Sequence, residues 1–208
     1  MNAWILDELA LYFFKNPLFE RADSPIVNAS LKKGLLFSGN VGTGKTLCLE
    51  IMSEITSELP RLNPGKFPAL QQNRFNIFPT TDIVEKYKEF SKFKDTSEEE
   101  IIAQHTRKSF YPKKQGLGRS KLPIIKGFDG LGEEVETGPV NNFGTIVNVM
   151  QQIFLSRYRF FLDFGMKTHA TTNLARYADF EKHYSTMFAD RCVQMFNKIP
   201  FLGASNRK

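Results

Sequence analysis

One segment constrains this 208-residue chain more than any other feature of its sequence. It consists of Gly39, Asn40, Val41, Gly42, Thr43, Gly44, Lys45 and Thr46, which match the phosphate-loop pattern G-x-x-x-x-G-K-[ST] in full. The apolar residues 35–37 before it predict a buried strand, and the apolar spacing after it predicts an amphipathic helix. Glycines let such a loop fold closely around phosphate oxygens, so that successive N–H groups point inward. The segment therefore predicts a phosphate-binding loop between a strand and a helix.

The same segment predicts which groups contact a bound nucleotide. The helix that follows the loop presents its positive N-terminal end to the phosphates. Lys45 reaches the β- and γ-phosphates as a point charge, and the hydroxyl of Thr46 is expected to ligate Mg²⁺. We therefore predict ATP and Mg²⁺ as the cofactors, with residues 39–46 as the binding loop.

A phosphate-loop site also needs an acid at the end of a neighbouring strand to hold Mg²⁺, usually through water. Asp129 follows a predicted strand at residues 122–128 and is the best candidate, although Asp129-Gly130 is also a common turn sequence. The next position often carries a second carboxylate that orients the attacking water, and here it is Gly130. Glu133 and Glu134 lie close by and could replace that carboxylate. The sequence thus supports nucleotide binding more firmly than turnover.

Predicted strands and helices alternate along the rest of the chain. Strands are predicted at residues 35–37, 75–78, 122–128 and 167–172, and helices at 3–15, from 45 to a stop at Pro60, from about 82, at 97–108, at 143–159 and as two short segments within 175–197. Asn173 follows the last predicted strand and could contact the γ-phosphate or cap a helix. This alternation indicates an α/β fold in which helices cover both faces of a parallel sheet.

Charge and cysteine content indicate which partners and which cellular compartment to expect. The net charge is +6 and the sequence pI is about 9.3, which favours encounter with polyanions such as DNA. Cys48 and Cys192 are far apart and indicate neither a disulfide scaffold nor a metal site, which is typical of a reducing compartment. No apolar run approaches the length of a membrane span. We therefore expect a cytoplasmic protein without a membrane partner.

In combination, these residues resemble the AAA+ ATPases of the DnaC/IstB type, the helicase loaders and transposition ATPases, over roughly residues 33–208. Five segments beyond the phosphate loop carry the resemblance. Residues 129–134 are similar to the family's D-D-L-G-x-E, and residues 148–150 with 155–158 look like the helix that follows it. Residues 171–174 resemble its sensor 1 segment, Asp190-Arg191 the pair that carries the arginine finger, and 203–207 its closing G-x-S-x-R. The ordered set is far more specific than the loop alone.

The resemblance implies a three-layer α/β AAA+ core at residues 33–208, with a parallel sheet and a short N-terminal helical extension at residues 1–32. It also implies an ATP-dependent homo-oligomer with ATP between neighbouring subunits. The residues implied for catalysis are Lys45, Asp129, Glu134, Asn173 and Arg191, and Arg207 is implied as a further nucleotide contact. Arg191 would complete the site of the adjacent subunit in trans. The basic loop at 113–121 would contact DNA phosphates or would simply be a solvated turn.

The resemblance favours a loader that delivers a replicative DNA helicase to single-stranded DNA. One alternative is the ATPase partner of a transposase, which would prefer duplex DNA. A second is an ATP-binding assembly switch with little or no hydrolysis, which Gly130 supports. A small-molecule kinase is disfavoured, because Arg191 and Arg207 match the AAA+ pattern better than a substrate lid.

Overall fold

The computed structural model describes residues 3–91, 97–110, 123–134, 140–142 and 145–203 of the chain. Within these residues, five parallel strands form one sheet. Their order across the sheet is β2 (Phe75–Pro79), β3 (Ile125–Leu131), β6 (Thr168–Thr172), β1 (Gly34–Gly39) and β7 (Phe196–Phe201). Because every pair is parallel, the carboxyl ends of all these strands lie at one edge of the sheet. The phosphate loop follows β1 at that edge.

Helices cover both faces of this sheet. One face carries α1 (Ala3–Phe13), α2 (Lys45–Leu62) and α3 (Pro68–Gln72), and the other carries α4 (Thr80–Ser91), α5 (Ser97–His105), α6 (Val149–Phe164), α7 (Tyr177–His183) and α8 (Thr186–Met195). Alternate residues of β1 point to opposite faces, so Leu35 and Phe37 join one core and Leu36 joins the other. The predicted three-layer α/β fold with a parallel sheet is confirmed. In the described part of the chain, no helix is long and apolar enough to cross a membrane.

The N-terminal helix packs directly on the sheet. Ile5, Leu9 and Phe13 of α1 are buried in the same core as Leu35 of β1 and Cys48 of α2. The division into residues 1–32 and 33–208 stays a prediction. The packing indicates that α1 shares its core with the strand that leads to the phosphate loop.

The helix predicted at residues 143–159 begins later than expected. Residues Thr145–Val147 instead form a short strand, β5, that pairs antiparallel with β4 (Val140–Asn142). Three consecutive β-branched residues favour this strand. The helix α6 then starts after Asn148, whose side chain accepts a hydrogen bond from the Gln151 N–H at 3.0 Å. The predicted helix is therefore present, but a capping residue decides where it begins.

Among the other differences from the prediction are two element boundaries and one additional strand. The helix α2 continues past Pro60 to Leu62, because a proline in the last turn removes only one backbone hydrogen bond. The strand β3 extends to Leu131, so Asp129 lies inside it rather than after it. Strand β7 was not predicted, since a lysine and a proline interrupt its apolar residues. It pairs with β1 along its whole length and completes the sheet.

A buried arginine on α6 connects three elements of the second core. Arg157 is 0% exposed. Its guanidinium donates to the Thr168 hydroxyl at 2.8 Å and to the backbone carbonyls of His105 at 2.9 Å, Lys167 at 2.8 Å and Ile124 at 3.3 Å. Burial lowers its pKa to about 9. Arg157 therefore joins α6 to the end of α5 and to the starts of β3 and β6.

The burial of two histidines leads us to predict that the protein becomes less stable as the pH is lowered. Burial, together with nearby cations, lowers the pKa of both His105 and His169 to about 3. The unfolded chain therefore binds protons that the folded histidines exclude, and stability is lost as the pH falls from about 6.5 toward 3. We expect each histidine to remove about 1.4 kcal/mol of unfolding free energy per pH unit in this window. Urea unfolding at pH 7, 6 and 5 measures this slope.

The matched variant is His105→Leu, which removes one of the two titrations. As the pH is lowered, its unfolding free energy should decrease less steeply than that of the parent protein. The two slopes should differ by about 1.4 kcal/mol per pH unit. Equal slopes in the two proteins would contradict the claim that His105 stays neutral in the folded state.

Candidate nucleotide-binding site

The phosphate loop closes around the ammonium group of Lys45. This side chain is 6% exposed, and its Nζ donates to the carbonyl oxygens of Gly39 at 2.8 Å and Asn40 at 2.7 Å. The Thr43 hydroxyl donates to the same Asn40 carbonyl at 2.8 Å. Gly44 precedes the helix with φ +92°, a left-handed conformation that glycine adopts without steric cost. The loop thus holds a cation at the positive end of α2.

The acid predicted to hold Mg²⁺ lies next to the hydroxyl predicted to ligate it. The Thr46 hydroxyl donates to Asp129 Oδ1 at 2.9 Å, and the Thr171 hydroxyl donates to the same oxygen at 2.5 Å. Thr171 also accepts a hydrogen bond from the Gly130 N–H at 2.9 Å. The ends of β3 and β6 and the start of α2 therefore converge on one carboxylate.

This donor set fits a magnesium–nucleotide complex. Mg²⁺ prefers hard oxygen ligands and is commonly held by one or two protein groups together with substrate phosphates. Thr46 and Asp129 offer one hydroxyl and one carboxylate. Within the described residues, no group of three or more His, Cys, Asp or Glu side chains forms a separate metal cluster. When bound, the ion would neutralise charge on the phosphate oxygens.

A cleft of about 260 Å³ lies beside the loop. It is lined on one side by Val41, Gly42 and 44–47, and on the other by Glu133, Thr171 and Asn173. The Asn173 amide donates to Glu133 Oε1 at 2.8 Å. The structure therefore brings the predicted Asn173 to the cleft together with Glu133, the glutamate that the family pattern leaves undefined.

The other glutamate is turned away from the cleft. Glu134 is 3% exposed and accepts hydrogen bonds from the Gly132 N–H at 2.8 Å and from the Tyr184 hydroxyl. Burial raises the pKa of its carboxyl group. Glu134 is therefore not among the described residues that line the cleft, although the sequence pattern predicts it as catalytic. Its contacts join the turn after β3 to the segment between α7 and α8.

The predicted arginine finger lies outside the cleft of its own chain. Arg191 on α8 places its guanidinium 4.5 Å from the centre of the Tyr158 ring and donates to the Tyr158 hydroxyl at 3.3 Å. The adjacent Asp190 accepts a hydrogen bond from Tyr177 at 2.6 Å. The role of Arg191 in a neighbouring subunit stays a prediction. Arg207 and the basic loop at 113–121 lie outside the described residues.

Two threonines contribute to the site without having been predicted to do so. Thr171 orients Asp129, as described above, and Thr80 donates to the Gly130 carbonyl at 2.8 Å. Each lies at the carboxyl end of a parallel strand, Thr80 directly after β2 and Thr171 within β6. Their position at the end of a predicted strand could have identified both threonines from the sequence, because side chains at this edge of the sheet face the phosphate loop.

Several solved structures share this fold, including the two that follow. The crystal structure of the DnaC helicase loader matches at 16% identity and a TM-score of 0.51, over 96% of this chain and 91% of that chain. A candidate primosome component from Streptococcus pyogenes serotype M3 matches at 17% identity and a TM-score of 0.54, over 99% of this chain and 84% of that one. No family model and no curated protein matches the sequence. The chain therefore has the fold of a helicase loader, as the resemblance implied.

Proposed function

We propose that this protein binds ATP with Mg²⁺ in the cleft and acts as a loader that delivers a replicative DNA helicase to single-stranded DNA. One observation carries the nucleotide part: Thr46 and Asp129, from separate elements, meet at 2.9 Å beside a complete phosphate loop. The loader part is supported by the fold, which matches the DnaC helicase loader along nearly the whole of both chains.

Nucleotide binding uses groups that the fold already positions. The Lys45 ammonium exchanges the carbonyls of Gly39 and Asn40 for phosphate oxygens, which are stronger acceptors because they carry charge. The Thr46 hydroxyl and the Asp129 carboxylate then face the metal side of the phosphates. Binding therefore changes hydrogen-bond partners within the loop and does not require the sheet to rearrange.

Assembly and DNA contact follow from the same proposal. Arg191 is half-buried on α8, and in an assembly it would stabilise charge on the γ-phosphate bound by a neighbouring subunit. The net charge of +6 favours binding to a nucleic-acid backbone. Exposed apolar side chains at the N-terminal region, Leu6 at 47% and Leu18 at 59%, offer a surface for a protein partner.

The test is a complex with the replicative helicase of the source organism. The two proteins are co-expressed, and the mass of the complex is measured with ATP, with ADP and with neither. We expect a complex of defined stoichiometry that changes between ATP and ADP, because the nucleotide links the site to assembly. The Lys45→Ala protein is the control, and its complex should be the same in all three conditions.

Absence of a complex in every nucleotide state would contradict the loader proposal. A separate titration of the free protein with ATP would show whether the nucleotide site is retained. If the protein bound ATP but formed no complex with the helicase, an ATP-binding switch that controls a different assembly would be indicated.

A further inference from the structure

Gly130 occupies a backbone position that disfavours a side chain, and with it a second acid. The pairing of β3 with β6 shifts register between Phe128 and Leu131, which leaves Gly130 at an irregularity of the strand. Gly130 has φ +78°, in the left-handed region where side chains are strained. A Cβ at this position would lie 2.8 Å from Glu133 Oε2, inside ordinary contact distance. The local backbone therefore favours glycine, and a side chain here would displace the Glu133 carboxylate.

The Glu133 carboxylate fills the space next to Gly130. One of its oxygens, Oε2, lies against the Cβ position of residue 130, and the other, Oε1, accepts the hydrogen bond from Asn173. Glu133 also lines the cleft together with Lys45 and Thr46. A carboxylate thus stands at the place where a side chain of residue 130 would begin, although it comes from three positions later in the chain.

We propose that Glu133, paired with Asn173, supplies the carboxylate that activates the attacking water, so that the protein hydrolyses ATP despite Gly130. This inference rests on the proposed nucleotide site. The Asn173 amide donates through Nδ2 to Glu133, which leaves its Oδ1 to accept a hydrogen bond from the water. The two side chains therefore offer two acceptors to one water molecule.

The chemical step is balanced by groups at the site. The water oxygen forms a bond to the γ-phosphorus as the bond from that phosphorus to the β–γ bridging oxygen breaks. The electron pair of the broken bond leaves with ADP, and the proton of the water passes to Glu133 and then to solvent. The products are ADP and phosphate, with no redox change. Lys45 faces the same phosphates and stabilises the charge on them.

Glu134 does not offer this chemistry. Its carboxylate is buried and already accepts hydrogen bonds from Gly132 and Tyr184. Moving it to the cleft would break both contacts. The two adjacent glutamates therefore have different tasks: Glu133 faces the water position, and Glu134 holds the turn that presents it.

The test compares Glu133→Gln with Glu134→Gln. ATP affinity is measured by equilibrium titration, and phosphate release is measured in a single turnover with enzyme in excess, with and without helicase and single-stranded DNA. Glu133→Gln should keep its ATP affinity within about twofold and lose about a hundredfold in the hydrolysis step, the usual effect of a general base. Glu134→Gln should lower the melting temperature and reduce the hydrolysis step far less than Glu133→Gln does, because Glu134 does not line the cleft.

Three results would overturn the proposal: wild-type hydrolysis by Glu133→Gln, weakened ATP binding by that variant, or a parent protein that binds ATP without hydrolysing it under any condition. Failure of the parent to bind ATP would instead reject the nucleotide site itself. The variant Gly130→Asp adds a further arm. If the site lacked a catalytic carboxylate because residue 130 is glycine, this change would raise the hydrolysis rate. We expect no gain, because the new side chain is strained and displaces Glu133.

Discussion

Replacing Lys45 by alanine should weaken ATP binding about a thousandfold, which corresponds to about 4 kcal/mol. The ammonium group lies within the loop, where it donates to two backbone carbonyls. Its removal leaves phosphate charge without a charge-assisted partner in a partly enclosed site. Isothermal titration with ATP and Mg²⁺ measures the loss.

The matched control is Lys66→Ala. Lys66 is exposed in the segment between α2 and α3, so this variant has the same change in net charge but leaves the cleft intact. It should bind ATP like the parent protein. Thermal melting of both variants checks that the fold is retained, since Lys45 also makes hydrogen bonds within its loop. Parental affinity in folded Lys45→Ala would contradict the assignment of the site.

The same variant tests the arginine finger. Lys45→Ala subunits should bind ATP too weakly to be occupied but still carry Arg191, whereas Arg191→Ala subunits should bind ATP but lack the guanidinium. A mixture of the two should regain part of the hydrolysis rate if Arg191 acts on the neighbouring subunit. If the mixed subunits assemble without regaining activity, then the contact of Arg191 with Tyr158 is its structural role.

Arg157→Ala should destabilise the protein by about 3 kcal/mol without involving the nucleotide site. The change leaves three backbone carbonyls and the Thr168 hydroxyl without their donor, and it opens a cavity in the second core. Relief of the buried charge offsets part of this loss, so the net effect is smaller than the sum of the broken hydrogen bonds. Urea unfolding gives the difference in free energy.

Arg159→Ala is the control for this prediction. Arg159 lies on the same helix two residues later, but its side chain is exposed. Its removal should change stability by no more than about 0.5 kcal/mol, as is usual for surface positions. Similar losses for the two variants would show that charge or helix propensity, and not the buried contacts of Arg157, governs the effect.

Local sequence patterns were sufficient for the phosphate loop and for much of the secondary structure. The glycines of residues 39–46, the strand before them and the helix after them act within a few residues of one another. Backbone conformation and helix-end electrostatics are set over such distances. For the same reason, the sequence predicted a helix at residues 143–159, where most of α6 lies.

The prediction of element boundaries was wrong where a strand is stabilised by pairing with another segment of the chain. Strand β7 contains a lysine and a proline, and it is stabilised by pairing with β1, far away in the chain. The segment Thr145–Val147 became a strand because Val140–Asn142 pairs with it. Such pairings depend on the sheet and its neighbours more than on the propensity of the segment itself.

By itself, the sequence determined that a phosphate loop exists, that Asp129 is available to it, and that the chain alternates strands with helices. Only the tertiary structure decided which glutamate faces the cleft. Glu133 and Glu134 are adjacent and chemically alike, and the family pattern indicated Glu134 rather than Glu133. The left-handed backbone at Gly130 and the hydrogen bond from Asn173 place one in the cleft, while Tyr184 holds the other inside. The direction of a side chain depends on contacts with residues that are distant in the sequence, and the residues next to it do not specify those contacts.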